Sequence, residues 1–406
     1  MKKKAKLLAS ILLSVSCLFN ANLFAQNTWS QKTNFGGIVR EGAVGLSING
    51  KGYFGMGDAS GLGTPNDFWE YDQTLNSWSQ KANYPSSYSV KCVAFSIGNL
   101  GYVGTGRSNT FNLTQSFYEY NPTTNVWTAK ANFGGTARYN ATGFSIGSKG
   151  YIGTGFDNNF KNDFWEYDPS LNNWTPKSNF IGTARSLAVG FSINGKGYIG
   201  TGWDINGTND FYEYNPTSNS WTQKASFGGN QINEGVGFSI GSAGYICTGQ
   251  INGGGETQEL WAYDSNTNTW IQKAILSGSA RKGATAFVIG NKAYLGLGYS
   301  SGIGHLQDFW EYTPDGITAI DESSDPENIF VNLNSSSNTL QVTCNTSNNY
   351  AMEILICDSK GSIVYSCKMK SSSIDVSIAN FKSGIYIYNI HSKNKIKATG
   401  KFYKHS

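Results

Sequence analysis

The chain has 406 residues, more than one ordinary core uses, so it divides into about two domains or a repeat array. Glycine stands at 49, aromatics at 14% and charged residues at only 14%, a composition that suits short strands and tight turns and excludes a protein of long helices. The formal charge of +4 disappears when the basic leader is set aside: its four lysines lower the 31 basic residues to 27, equal to the 27 acidic ones, so charge gives no support to a nucleic-acid partner.

Residues 1–25 read as a secretory signal peptide. Lys2, Lys3, Lys4 and Lys6 precede the apolar stretch Leu7–Leu13, and small and polar residues lead to a cut after Ala25. Cys17 raises a lipoprotein alternative, against which stands Ser14 where a leucine is expected. No later stretch is long and apolar enough to span a membrane as a helix. Cys92, Cys247, Cys344, Cys357 and Cys367 are odd in number, scattered and without metal-ligand spacing, so they read as free thiols with at most one bridge near the C-terminus.

From residue 26 to 314 the sequence repeats itself. The units carry a strand such as Gly143–Ile146, a tyrosine followed by Gly-x-Gly as in Tyr151–Gly155 (Cys247-Thr248-Gly249 in the fifth), a run such as Asp163–Tyr167, and a tryptophan such as Trp174. Each marker occurs six times, with the tryptophans shifted one unit early: Trp29 precedes the first unit, and none follows Tyr312. The simplest geometry is a ring in which the segment around Trp29 pairs as the outermost strand of the last sheet, leaving no open edge. The repeated Glu70, Glu119, Glu166, Glu213 and Glu311 lie mid-strand and read as polar pairs rather than catalytic acids.

The unit length of 47–49 residues, the glycines after the second strand, and the tyrosine seven residues before a tryptophan resemble the kelch repeat, with Gly-x-Gly replacing the adjacent glycines common in that family. The resemblance implies an all-β fold: a six-bladed kelch-type β-propeller closed by an N-terminal strand. It implies less about function, since one fold hosts many.

In an up-and-down meander, the lead-in to the first strand and the loop between the second and third strands open on one face. The lead-in positions are Arg40, Ser89, Arg138, Arg185, Ile232 and Arg281, and the positions after Gly-x-Gly are Asp58, Arg107, Phe156, Trp203, Gln250 and Tyr299. The expected ligand-binding set is Arg40, Arg138, Arg185, Arg281, Arg107, Phe156, Trp203, Tyr299 and Asp58. Arginines grip carboxylate or sulfate through paired hydrogen bonds, and the aromatics stack on sugar rings or a partner's side chains. The plainer alternatives are that the arginines hold loop carbonyls and that Trp203 covers a loop.

Residues 315–327 read as a linker. Residues 328–406 alternate as short strands with turns such as Asp358–Gly361 and suggest a small Ig-like β-sandwich. Asp358-Ser359-Lys360-Gly361, Phe381–Tyr386 and the ending Lys401–Lys404 resemble the type IX secretion sorting domain of Bacteroidetes proteins, with Val331–Asn334 where that family often opens with Pro-Asn-Pro. The resemblance implies passage through the periplasm and the outer-membrane secretion machinery, then release or surface attachment. A plain adhesive sandwich is the alternative.

The functional expectation is a secreted or cell-surface binding protein that recognises a glycan or an extracellular protein, without cofactor, metal or catalytic residues. Two alternatives stand beside it: a purely structural adhesin, and a carbohydrate-active enzyme. Some kelch propellers are copper oxidases or sialic acid mutarotases; copper chemistry needs imidazole ligands, and the repeat region holds only His305. Mutarotase-like chemistry needs only acid/base groups in a pocket, for which Glu41, Glu234 or Asp58 would serve. A calcium site built from Asp157, Asp163, Asp204 and Asp210 fits no recognised loop spacing.

Overall fold

The computed structural model describes residues 27–314 apart from 60, 62 and 88, and residues 328–404 apart from 335–338, 346–351, 359–361, 370, 372 and 393–394. The expected signal peptide and linker lie outside the described residues. Among those described, every regular element is a strand.

Six four-stranded antiparallel sheets are built from residues 28–313. Sheet I is Val44–Ile48, Lys51–Gly55, Phe68–Asp72 and Ser77–Lys81. Sheet II is Val93–Ile97, Leu100–Gly104, Phe117–Asn121 and Val126–Ala129. Sheet III is Thr142–Ile146, Lys149–Gly153, Phe164–Asp168 and Asn173–Lys177. Sheet IV is Val189–Ile193, Lys196–Gly200, Phe211–Asn215 and Ser220–Lys224. Sheet V is Val236–Ile240, Ala243–Cys247, Leu260–Asp264 and Thr269–Gln272. Sheet VI is Thr285–Ile289, Lys292–Gly296, Phe309–Thr313 and, as its outer strand, Thr28–Gln31 from the other end of the chain. Trp29 lies opposite Tyr312, the pairing that the marker count predicts.

Alternation explains the inner strands. Val44, Leu46 and Ile48 are buried while Gly45 and Ser47 between them are only half-buried, the period-two pattern of a strand packed on one side more than the other. The inner strands of consecutive sheets touch, and that of sheet VI touches that of sheet I. Aromatic contacts follow the same cycle. Phe68 meets Tyr120 at 5.0 Å, Phe117 meets Tyr167 at 4.9 Å, and Phe309 of the last sheet meets Tyr71 of the first at 4.8 Å. These edge-on and tilted geometries suit the aromatic quadrupole. Gly52 is needed at that last junction, because a Cβ there would sit 2.0 Å from the Phe287 ring.

Three hydrogen-bonded devices repeat around the cycle. Each outer-strand tryptophan donates Nε1–H to a carbonyl of the preceding sheet's exit segment: Trp127 to Ala82 at 2.9 Å, Trp174 to Ala131 at 3.2 Å, and Trp29 to Ala274 at 3.0 Å. Two residues before each tryptophan stands an asparagine in the left-handed region, Asn27 at φ 59° among them. Its Oδ1 accepts from its own sheet's tyrosine hydroxyl and from a backbone N–H of the neighbouring sheet; Asn27 accepts from Tyr312 and from Ala274, both at 2.9 Å. Asparagine tolerates positive φ where most residues do not, which is why it occupies this slot. The mid-strand glutamates accept from second-strand tyrosines, as Glu166 does from Tyr151 at 2.6 Å, and pair with an outer lysine, as with Lys177 at 3.1 Å.

In the C-terminal part a three-stranded sheet (Asn328–Asn334, Thr339–Asn345, Ser373–Ser377) and a four-stranded sheet (Ile363–Lys368, Met352–Asp358, Gly384–Ser392, Lys395–Lys404) share one buried cluster that includes Leu340, Val342, Ile354, Ile356, Val376 and Ile390. Cys357 lies opposite Ile363 and Cys367 opposite Ile354, so the two are not register partners.

Candidate functional site

Two belts of backbone hydrogen bonds run round the face carrying the lead-in segments and the loops between second and third strands. One belt runs through the residue two places after each lead-in position. Lys91 N–H donates to Gly42 O, Asn140 to Lys91, Leu187 to Asn140, Glu234 to Leu187, Gly283 to Glu234, and Gly42 to Gly283, all at 2.9–3.3 Å. The six hydrogen bonds form a closed cycle, and all six residues have φ between 54° and 60°. A second belt links the last glycine of each Gly-x-Gly to the next lead-in carbonyl, from Gly57 N–H to Ser89 O at 2.8 Å round to Gly298 N–H to Arg40 O at 2.8 Å. Because main-chain groups close the first belt, its bonds do not depend on which side chains its residues carry.

Inside the first belt lies a cavity of about 120 Å³ lined by one residue pair from each sheet, from Gly42-Ala43 round to Gly283-Ala284. Lys91 of sheet II and Glu234 of sheet V, three sheets apart in a ring of six, meet across it with Nζ 2.5 Å from Oε2. The Lys91 chain lies over Gly42, where a Cβ would come within 2.8 Å of it. Burial raises the Glu234 carboxyl pKa, but the Lys91 charge and hydrogen bond outweigh it and hold the group below its ordinary value. The carboxylate therefore stays ionised, and with Lys91 it forms a polar floor across the opening.

A wider cavity of about 300 Å³ opens beside it, bounded by Trp203, Asn233, Gln250 and Asn252, and shares Leu187 and Glu234 with the first. The other sequence-predicted loop residues stand around the same mouth. Asp58 pairs in backbone register with Glu41, Arg107 with Val90, Phe156 with Tyr139, Trp203 with Ser186, and Tyr299 with Lys282. Arg107 reaches Asp58 at 3.5 Å and lies over the Phe111 ring at 4.2 Å. Phe156 meets Tyr139 at 6.0 Å and Phe160 at 5.2 Å; Tyr299 meets His305 at 5.2 Å. Sheets III and IV thus present aromatic and apolar groups, while sheets V, VI, I and II present Glu234, Lys282, His305, Glu41, Asp58 and Arg107.

The four lead-in arginines are placed otherwise. Arg40, Arg138, Arg185 and Arg281 are each 0% exposed. Each forms a two-pronged pair with an aspartate at the start of its own sheet's third strand: Asp67, Asp163, Asp210 and Asp308. Nε donates to a nearby loop carbonyl, as from Arg138 to Thr136 O at 3.0 Å. This puts their charge inside the sheets rather than at the opening, because an external anion would have to displace a buried partner. Burial raises the carboxyl pKa of Asp67, Asp163 and Asp308, but the arginine hydrogen bonds and charge prevail and hold all three below the ordinary value. The sequence itself carries a signal for this pairing: where the arginine is lost, at Ser89 and Ile232, the aspartate is lost too, at Ser116 and Glu259. Lys91, Asn140, Glu234 and Lys282 also escape prediction as mouth residues, with only Glu234 weighed, as an acid. Among the described residues no group of three or more His, Cys, Asp or Glu is placed to hold a metal ion.

The class follows from this frame. The chain shares its fold with the solved structure of YjhT, at 16% identity and a TM-score of 0.60, over 68% of this chain and 95% of that one. At that identity the likeness speaks of fold alone, and with the repeat markers it is that of a kelch-type β-propeller. Residues 334–405 match the family model described as the secretion system C-terminal sorting domain. That match supports secretion by the type IX route, with interaction with its machinery, and points to attachment at the outer membrane or cell surface. No curated protein matches the chain.

Proposed function

We propose that the six sheets are the blades of one propeller over residues 26–314, closed by the strand holding Trp29, and that residues 315–327 join it to an Ig-like sorting sandwich over 328–406. Residues 1–25 direct export to the periplasm, and the sandwich directs the onward step. The propeller is a binding module for an extracellular ligand, glycan or protein, seated in the mouth. The observation that carries this reading is the 300 Å³ cavity in which the half-buried Trp203 stands among the amides of Asn233, Gln250 and Asn252. A flat apolar ring flanked by short amides suits a ligand with one stacking face and polar edges. Phe156, Arg107, Asp58 and Tyr299 extend the same surface, and the four buried arginines hold its rim.

The test is binding of the secreted chain to a glycan array and to surface proteins of candidate hosts, repeated with Trp203→Ala. An anchoring aromatic is worth about 2 kcal/mol or more, so affinity should drop roughly thirtyfold with an unchanged melting curve. Binding indifferent to Trp203 would move the site elsewhere.

A further inference from the structure

The proposed mouth also bears on what kind of ligand fits it. Among the described residues, four buried polar atoms on the segments around it have no hydrogen-bond partner: Glu41 Oε2, Arg107 Nε, Asn140 Oδ1 and His305 Nε2. They stand on the lead-in or loop segments of sheets I, II, III and VI; Asn140 lines the smaller cavity, and Glu41 Oε2 lies against Gly283, which lines it too. Leaving buried polar groups unpaired is costly, and native structures do so chiefly where another partner takes the bond. His305 Nε2 lies 3.9 Å from Glu41 Oε1, too far for a hydrogen bond yet spanned by one intervening oxygen. Gly283 keeps the space open: a Cβ there would lie 3.1 Å from Glu41 Oε2 and 3.3 Å from Glu234 Oε2.

The valences are of mixed type. Glu41 Oε2 and Asn140 Oδ1 only accept, Arg107 Nε–H only donates, and the imidazole nitrogen does either. A carboxylate or sulfate would meet the donors and repel Glu41. An ammonium group would meet the acceptors and leave Arg107 unmet. A hydroxyl donates and accepts at once. Lys91 pairs with Glu234 at 2.5 Å and Arg107 with Asp58 at 3.5 Å, and the remaining Lys282 and Glu41 are of opposite sign, so the mouth offers a charged ligand no net charge.

We infer that the mouth takes the terminal unit of an uncharged, polyhydroxylated glycan, whose hydroxyls complete Glu41, Asn140, Arg107 and His305 while its ring face lies on Trp203. This rests on the mouth being the binding site and names its ligand class. The probes are neutral oligosaccharides (chitotriose, mannotriose, cellotriose and lactose), 3′-sialyllactose and a sulfated disaccharide as acidic counterparts, and an unrelated acidic peptide, titrated into the full secreted chain. At least one neutral sugar should bind, with Glu41→Gln and His305→Phe each weakening it on the order of tenfold, the scale of one lost charge-assisted hydrogen bond. Asn140→Gly, which keeps the left-handed backbone, should weaken it less. Melting curves separate lost binding from lost folding. Binding of the acidic sugars or the peptide alone, or a neutral sugar whose affinity ignores Glu41→Gln, overturns the inference. If such binding still depends on Trp203, the mouth remains the site and only its ligand class falls; binding indifferent to Trp203 removes the site itself.

Discussion

Trp29 offers the sharpest test of the ring. Its side chain is only 8% exposed, its ring lies 5.0 Å from that of Tyr312, and its Nε1–H donates to Ala274 O at 3.0 Å. Truncating a buried tryptophan costs about 3–5 kcal/mol, and the freed carbonyl adds to that. For a cooperative unit of this size the melting temperature should fall by on the order of 10 °C. The comparison that isolates closure is Trp127→Ala, which removes the equivalent side chain from sheet II, where Nε1–H donates to Ala82 O at 2.9 Å. In a closed ring the two substitutions are equivalent and their melting curves shift together. In an open array the first tryptophan would pack against little, and its loss would fall within the ±0.5 kcal/mol of ordinary surface changes. Thermal melts by circular dichroism on the two variants decide it, and a large shift for Trp127→Ala beside an unchanged curve for Trp29→Ala would refute closure by the N-terminal strand.

Other consequences follow from the hydrogen-bonded frame. Arg138→Met strands the carboxylate of Asp163 and should cost about 3–5 kcal/mol, whereas Arg138→Ser with Asp163→Ser copies the natural Ser89/Ser116 pair and should recover part of it in urea titrations. Asn172→Ala removes the acceptor for both the Tyr167 hydroxyl and the Ala131 N–H and should cost about 1–3 kcal/mol, with Asn172→Gly no milder because the Oδ1 is lost either way. The carboxyls of Asp67, Asp163 and Asp308 have folded pKa values below their unfolded ones, so their stabilisation is complete above the unfolded value of about 4 and disappears as pH falls through the folded values; melting temperature should decline below about pH 4 and less steeply in the Arg138→Ser/Asp163→Ser variant. Cys247 is fully buried and burial pushes its thiol up to about 12, so alkylation should proceed only on unfolding.

Much of the frame was legible because packing recurs at a fixed interval. The tyrosine and tryptophan series mark strand and sheet, and the early tryptophan marks the pairing of Thr28–Gln31 with the last sheet's third strand. The asparagine two residues before each tryptophan was equally visible, and its six-fold recurrence signals a backbone need rather than a surface preference. The mouth was less legible for a physical reason. Lys91 and Glu234 are 143 residues apart and occupy equivalent slots whose other members are Gly42, Asn140, Leu187 and Gly283, so the slot recurs but the residue type in it does not. The arginines misled in the opposite way: recurrence at four lead-in positions looked like a rim of charge, although recurrence is the mark of an internal role, here the pairing with Asp67 and its equivalents.

That contrast bears on where selectivity lies in a repeat ring. A residue that every sheet needs is repeated by every sheet, so the repeated groups carry the fold and cannot distinguish one ligand from another. Selectivity must come from slots where the backbone is already satisfied and the side chain is free to differ. The first belt creates such slots: its N–H and C=O groups bond around the ring whatever side chain they bear, provided positive φ is tolerated. Leucine, lysine and glutamate in left-handed backbone each carry a strain that glycine would avoid. Their retention at 187, 91 and 234 is explained if those side chains act at the opening: one ion pair closes the floor, one apolar contact borders Trp203, and the unmet polar atoms face what enters. Substituting Lys91 and Glu234 together by glycine should therefore leave the melting curve unchanged or raised while opening the floor, and a marked loss of stability would place the pair in the frame instead.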